Sequence, residues 1–285
     1  MQIDKNIIFI FGPTASGKSS LALKLAQEDN GVIFNADSMQ IYQELPILSS
    51  QPTMVEQKIV PHFFYGFLNY QQGFSVAKWL ELISPKIKKE LQKGKKCFIV
   101  GGTGLYFSSL YYGINKMPQI SQELKQEMRD LYNDIGNEKF IEFLTNLGDQ
   151  NTANLDGQRL IRRAEILKET GKDLTFWQNQ PKEIFFDQDQ IKIIKLIPER
   201  QELYQKCNKR FEFILENGAI EEVEKLSKLN PDPKNLISKM LGYKEINCYL
   251  NNLLTKEEMI EIVTKKIRNY AKRQITWFKN QFPKN

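Results

Sequence analysis

Cysteine is scarce in this 285-residue chain: Cys97, Cys207 and Cys248 stand far apart, and no two form a C-x-x-C pair. Scattered single thiols suit a reduced core and exclude a disulfide framework or a zinc ribbon. Histidine is scarcer still, since His62 is the only one, and a His-rich metal centre is excluded with it. Long apolar runs are missing. No stretch nears the roughly 18 residues that a membrane helix needs. Ile7–Phe11 is too short for a signal-peptide core and runs into a Gly-rich turn, so the cytoplasm is expected and a membrane partner is not. Internal repeats and low-complexity tracts are absent too. The last absence concerns one sign of charge: from Thr264 onward there are seven Lys or Arg residues and no Asp or Glu.

What is present fits a globular protein with room for an α/β core and a smaller second domain. The net charge of +6 and pI near 9.0 lie on the side expected for a nucleic-acid partner, a weak signal by itself. The first third alternates short apolar runs with amphipathic stretches, the pattern of βαβ units and a parallel sheet. Ile7–Phe11, Val32–Phe34 and Cys97–Val100 read as strands buried on both faces, and Leu21, Ala22, Leu25 and Ala26 mark a helix after the first. After Met117 the period becomes helical: Leu124, Met128, Leu131 and Tyr132, then Phe140, Phe143, Leu144 and Leu147, then Leu160, Ala164 and Leu167. Ile191–Ile197 reads as a strand returning to the sheet. Leu203, Cys207, Phe211 and Ile214 then share one face of a long helix, and Thr255-Lys-Glu-Glu258 forms a capping box for the last one. The expected organisation is a discontinuous α/β core of the P-loop NTPase (kinase-like) type, residues 1–117 and 191–285, with a helical insertion at 118–190. A monomer is the default expectation.

Gly12-Pro-Thr14-Ala15-Ser16-Gly17-Lys18-Ser19 matches G-x-x-x-x-G-K-[ST], between a strand and a helix. Glycines let backbone N–H groups turn inward around an anion, and the helix adds its positive end. Lys18 supplies a point charge for terminal phosphates, and Ser19 a hydroxyl for Mg²⁺. The loop specifies a diphosphate without saying which. A nucleotide hydrolase of this type carries an Asp after a later strand, but Cys97–Val100 runs into Gly101-Gly-Thr103-Gly-Leu-Tyr106. Asp37 follows the second strand. Capping is the commoner role of a lone Asp, yet ligands of a doubly wound sheet gather outside the strands' C-terminal ends. There Asp37, Thr103 and the P-loop converge. In the last helix Arg268, Tyr270, Lys272, Arg273 and Trp277 interleave cations with aromatics, equally suited to phosphate and base contacts or to a solvated face over a packed one. Gln158-Arg159-Leu160-Ile161-Arg162-Arg163 is a second basic cluster, for which an ordinary exposed face is the commoner reading.

Taken together, these segments resemble the tRNA dimethylallyltransferase (tRNA isopentenyltransferase) family over nearly the whole chain. The resemblance rests on the P-loop, Asp37-Ser-Met-Gln-Ile-Tyr42, Pro61-His62, Phe74-Ser75, Val100–Tyr106, Gln158–Glu165, Gly242-Tyr-Lys-Glu245 and Ala271–Trp277, all in order. It implies transfer of dimethylallyl from dimethylallyl diphosphate to the N6 amine of the adenine beside the anticodon, in tRNAs reading codons that begin with U. It implies further that Asp37 is the general base and Thr103 a tRNA contact near the reaction centre. Asp37, Ser38, Met39 and Gln40, and likewise Gln158, Arg159, Leu160, Ile161 and Arg162, resemble the family's tRNA-contacting segments, and the insertion would grip the anticodon stem-loop. Gln43 and Gln51 stand where the family usually has Arg and Lys, Lys125 where it has Arg, and Ile267 where it has Thr. Lys125 keeps the charge without the bidentate fork. Two other expectations stay open: a small-molecule kinase using ATP, and a tRNA-binding protein without catalysis.

Overall fold

The computed structural model describes residues 5–233 and 235–282. The chain divides into two compact units, one built from the segments before Gly113 and after Ile184, the other from Gly113–Ile184.

In chain order the first unit contains β1 (Ile7–Phe11), α1 (Lys18–Glu28), β2 (Val32–Asn35), α2 (Pro46–Ser49), α3 (Met54–Ile59), β3 (His62–Phe63), α4 (Val76–Gln92), β4 (Cys97–Gly101) and α5 (Gly104–Tyr112). The second unit contains β5 (Ile114–Asn115), α6 (Gln122–Asn146), α7 (Gly157–Thr170), α8 (Leu174–Gln178) and β6 (Lys182–Glu183). The first then resumes with β7 (Ile191–Lys195), α9 (Arg200–Glu216), α10 (Ala219–Ser227), α11 (Tyr243–Leu250) and α12 (Lys256–Gln281).

The sheet of the first unit has the order β3-β2-β4-β1-β7, with every pairing parallel. All five β1 residues are buried, as a parallel strand covered on both faces requires. Ile8 and Ile10 point to one face and pack with Ala22 and Ala26 of α1 and with Ile33, Phe98 and Val100. Phe9 and Phe11 point to the other, where Phe107 of α5 lies 5.3 Å from each ring and Phe278 of α12 stacks on Phe11 at 4.3 Å. Thus α12 covers a central strand rather than lying free, and its apolar face anchors it where the strands end. A further layer of α9–α12 packs through Leu203, Cys207, Phe211, Ile214, Val263, Ile267 and Ala271 against Ile41, Tyr42, Leu45 and Leu48. Among the described residues, no helix is long and apolar enough to cross a membrane.

The second unit has its own core, Met128, Phe140, Leu144, Leu160 and Ala164. The run assigned to α6 is broken at Gly136, whose φ of 77° and ψ of 178° suit glycine almost alone. This break separates the two helical periods seen in the sequence. Arg163 makes two 2.6 Å bonds to the buried Asp149 carboxylate, fixing the loop after α6 to the inner face of α7. Removing one partner of such a pair costs about 3–5 kcal/mol because the other is left buried and unpaired.

Candidate functional site

The site forms where β1, β2 and β4 end. After Phe11 the chain makes the P-loop: Gly17 takes φ 86° and precedes α1 with no side-chain cap, so the helix's first N–H groups keep their capacity for an anion. Gly12 has no room for a side chain, because a Cβ there would lie 2.3 Å from the Leu196 carbonyl oxygen. Ser16 Oγ is buried without a hydrogen-bond partner among the described residues. Ala15 also holds a positive φ, 62°. Lys18 Nζ donates to the Pro13 carbonyl at 3.2 Å. Burial, then the Arg210 charge, pushes its pKa down from the ordinary 10.5 to about 8, while Asp37 acts in the opposite sense.

Arg210 is the largest element of the site that sequence reasoning missed. It reaches from α9 to donate to Thr14 Oγ1 at 2.7 Å and to the Ser49 carbonyl at 3.4 Å. Burial lowers its pKa also. Among the described residues neither Lys18 nor Arg210 has a carboxylate within ion-pair distance. Two partly desolvated cations, of which Lys18 feels the Arg210 charge and neither has a carboxylate in direct contact, favour an anionic ligand. No sequence signal marks Arg210: it stands beside the apolar stripe of its helix, and only tertiary packing carries it to the loop.

Asp37 does not cap a helix. Its Oδ1 accepts from the Met39 N–H at 2.9 Å, a local turn, and its own N–H donates to Asn35 Oδ1 at 2.8 Å. Asn35 in turn donates to the Asp37 and Phe64 carbonyls, so the carboxylate sits on a fixed loop with Oδ2 left for a ligand. The Thr103 hydroxyl accepts from the Ser38 N–H at 2.9 Å and donates to Ser38 Oγ at 3.2 Å. Thr103 therefore clasps the turn after β4 to the Asp37 loop. Gln40 donates to the Ser49 and Ser50 carbonyls, holding the end of α2 that Arg210 also grips. Gln51 is turned inward too, donating to the Tyr42 carbonyl at 2.7 Å, whereas Gln43 is exposed.

A cavity of about 220 Å³ opens between these groups. Thr14, Asp37, Arg210, Tyr270 and Arg273 line its polar part, and Leu48, Phe211, Ile214, Met240, Leu241 and Ile267 its apolar part. Burial, followed by the Asp37 charge, pushes the Tyr270 phenol up, so this hydroxyl stays protonated. Of the expected α12 cations, Lys272 and Arg273 are exposed, while Arg268 donates to Asn208 at 2.8 Å and lies over Tyr204. Trp277 packs on the turn after β4: a Cβ on Gly104 would lie 2.1 Å from its ring. Packing is thus the observed role of Trp277. Gln274, also missed, is buried and bridges Thr14 and Gly102.

Ser19 is exposed, and its hydroxyl makes no hydrogen bond with another described residue. The described residues contain no acidic or His/Cys cluster able to hold a metal unaided. That arrangement fits Mg²⁺, which is commonly held by one or two protein oxygens, water and substrate phosphates. On the second unit, Gln158 and Arg159 are exposed at the start of α7, and Lys125, Ile161 and Arg162 are half-buried. Arg162 pairs with Glu165 at 3.1 Å. Leu160, expected among the tRNA contacts, instead turns its side chain wholly into that unit's core.

Residues 40–281 match the model of the IPP transferase family. The tRNA dimethylallyltransferase of Rickettsia bellii (strain OSU 85-389) is 44% identical over 97% of this chain and 89% of its own length. That of Ehrlichia ruminantium (strain Welgevonden) is 39% identical over 98% and 93%. Among solved structures, the tRNA isopentenylpyrophosphate transferase of Bacillus halodurans superposes with a TM-score of 0.69 at 30% identity, covering 97% of this chain and 88% of that one. A eukaryotic dimethylallyltransferase acting on tRNA gives 0.81 at 26% identity, covering 95% and 69%. On this agreement in sequence and fold, the chain belongs to the IPP transferase family.

Proposed function

We propose that this protein is a tRNA dimethylallyltransferase, which moves the five-carbon group of dimethylallyl diphosphate onto N6 of the adenine next to the anticodon. The observation that carries the reading is that the half-buried Lys18 and Arg210, with no carboxylate in ion-pair contact among the described residues, both feel the charge of Asp37, while Arg210 and Asp37 share a cavity walled by apolar side chains. The cations fit a diphosphate, the apolar wall a short prenyl tail, and the carboxylate an amine that must lose a proton. Substrate tRNAs are those reading codons that begin with U, the protein acts as a monomer in the cytoplasm, and the helical insertion, with Gln158 and Arg159 exposed on α7, takes the anticodon stem-loop.

The amine nitrogen attacks C1 of the dimethylallyl group, the C1–O bond breaks, and diphosphate leaves with the electron pair. An adenine amine is a weak nucleophile whose proton becomes acidic only as the C–N bond forms, so a carboxylate of ordinary basicity can accept it then. Asp37 Oδ2 takes that proton and, held by its turn, also aligns the amine. Lys18, Arg210 and the P-loop amides meet the charge that grows on the departing oxygen, a preorganised anion site. The Ser19 hydroxyl would hold Mg²⁺ at the loop, and the ion would supply further charge neutralisation there. The target base has to leave its stack to reach the cavity, and Tyr270 and Arg273 stand at its polar end.

Asp37→Ala separates chemistry from binding. Losing a positioned general base costs about 10²–10⁴ in rate, so turnover falls by that factor while the tRNA dissociation constant stays within about threefold. Turnover near wild type in this variant contradicts the assignment.

A further inference from the structure

Gln274 lies on α12, is buried, and uses both ends of its amide. Its Oε1 accepts from the Thr14 N–H at 2.9 Å, and its Nε2 donates to the Gly102 carbonyl at 2.9 Å, partners 260 and 172 residues away. Those partners fix the amide's orientation, since a flip would face donor to donor and acceptor to acceptor. At Gly102 a Cβ would lie 2.2 Å from this Nε2 and 3.4 Å from Asp37 Oδ2. Thr14 is thereby held at its main chain by Gln274 and at its hydroxyl by Arg210. Gly102 precedes Thr103, whose hydroxyl clasps Ser38 beside Asp37. One side chain spans the distance from the anion loop to the base.

We infer that Gln274 is a positioning residue, which sets the P-loop and the Asp37–Thr103 turn at the separation that prenyl transfer requires. It touches no reacting atom. The inference rests on the reading of Asp37 and the P-loop as the reaction centre. A misplacement of about 1 Å between reacting groups can lower a rate on the order of 10²-fold, which one lost strut between two loops can produce.

Gln274→Leu keeps similar bulk without either bond. Gln274→Glu keeps the acceptor for Thr14, but only its protonated form can donate to the Gly102 carbonyl, and burial favours that neutral form. The carboxylate nearest it is that of Asp37, which is coupled to Lys18 on α1, Tyr65 after β3, Tyr106 on α5, Arg210 on α9 and Tyr270 on α12, with Arg273 in the same cavity. All are shared with the wild type, so the variant-to-wild-type ratio isolates position 274. The test is the single-turnover rate with saturating dimethylallyl diphosphate, Mg²⁺ and unmodified tRNA. Gln274→Leu is expected to lose at least tenfold in rate with tRNA affinity within threefold, and the Gln274→Glu ratio to rise as pH falls from 8.5 to 6. A Leu variant within twofold of wild type, or a Glu ratio flat with pH, overturns the inference. Should the Leu variant fail to fold, the Glu profile alone decides. A wild type without product defeats the underlying reading and this inference with it, whereas an active wild type matched by both variants defeats this inference alone.

Discussion

At the scale of residues, the site is a set of charges held out of balance until a ligand arrives. The folded-state pKa of Lys18 lies below its unfolded value, so the partly desolvated ammonium opposes folding in full below about pH 8, and that cost fades as pH rises from about 8 towards 10.5. An anion reverses the balance, because it binds the protonated lysine. Affinity for inorganic diphosphate is therefore expected to hold below pH 8 and to fall above it, by up to tenfold per pH unit, with proton uptake on binding. Calorimetry from pH 6.5 to 9.5 in two buffers of different ionisation enthalpy measures both quantities. Lys18→Met should bind more weakly and lose this contribution to the profile; a wild-type profile identical in shape to the Met variant's contradicts the assignment. Lys18 and Asp37 were legible in the sequence because a motif and a strand end announce them. Arg210 and Gln274 were not, since each belongs to a helix whose periodicity describes its buried stripe and says nothing of what lies across from a neighbouring position.

At the scale of elements, α12 explains features that looked local. The glycines after Val100 lie in or beside a two-residue turn between β4 and α5. In the structure Gly101 leaves no space before the Ala36 carbonyl, Gly102 none before Gln274, and Gly104 none before the Trp277 ring. The turn is glycine-rich because the loop after β2 and the last helix lie directly on it. Gly104→Ala is thus expected to destabilise by about 1–3 kcal/mol, the usual cost of overpacking. Gly104→Ala should cost less in a Trp277→Leu background, and denaturant melts of the four proteins measure that coupling; additivity contradicts the contact. The capping box at Thr255 was readable and is formed in full, with Glu258 returning to the Thr255 N–H, because capping is decided within four residues. Residues 43–96 yielded no element in the sequence. There β3 is two residues long and α2 four, too short for either period to emerge, and Pro85 obscures α4.

At the scale of the whole molecule, charge is sorted by sequence position. Lys265, Lys266, Lys272, Arg273 and Lys279 lie on the outer face of α12, whose inner face closes the sheet through Phe278 and the site through Gln274. Lys272 and Arg273 consequently remain exposed, Arg273 at the edge of the cavity, where a polyanion can reach them and where salt would weaken its hold. Transfer of a prenyl group to tRNA by this arrangement is measured at its product. Purified protein is incubated with Mg²⁺, dimethylallyl diphosphate and unmodified tRNA, and the digested nucleosides are weighed by mass spectrometry. Adenosine heavier by one dimethylallyl group is expected, with diphosphate released in equal amount. Unmodified adenosine throughout, with the protein folded and both substrates present, would contradict this transfer.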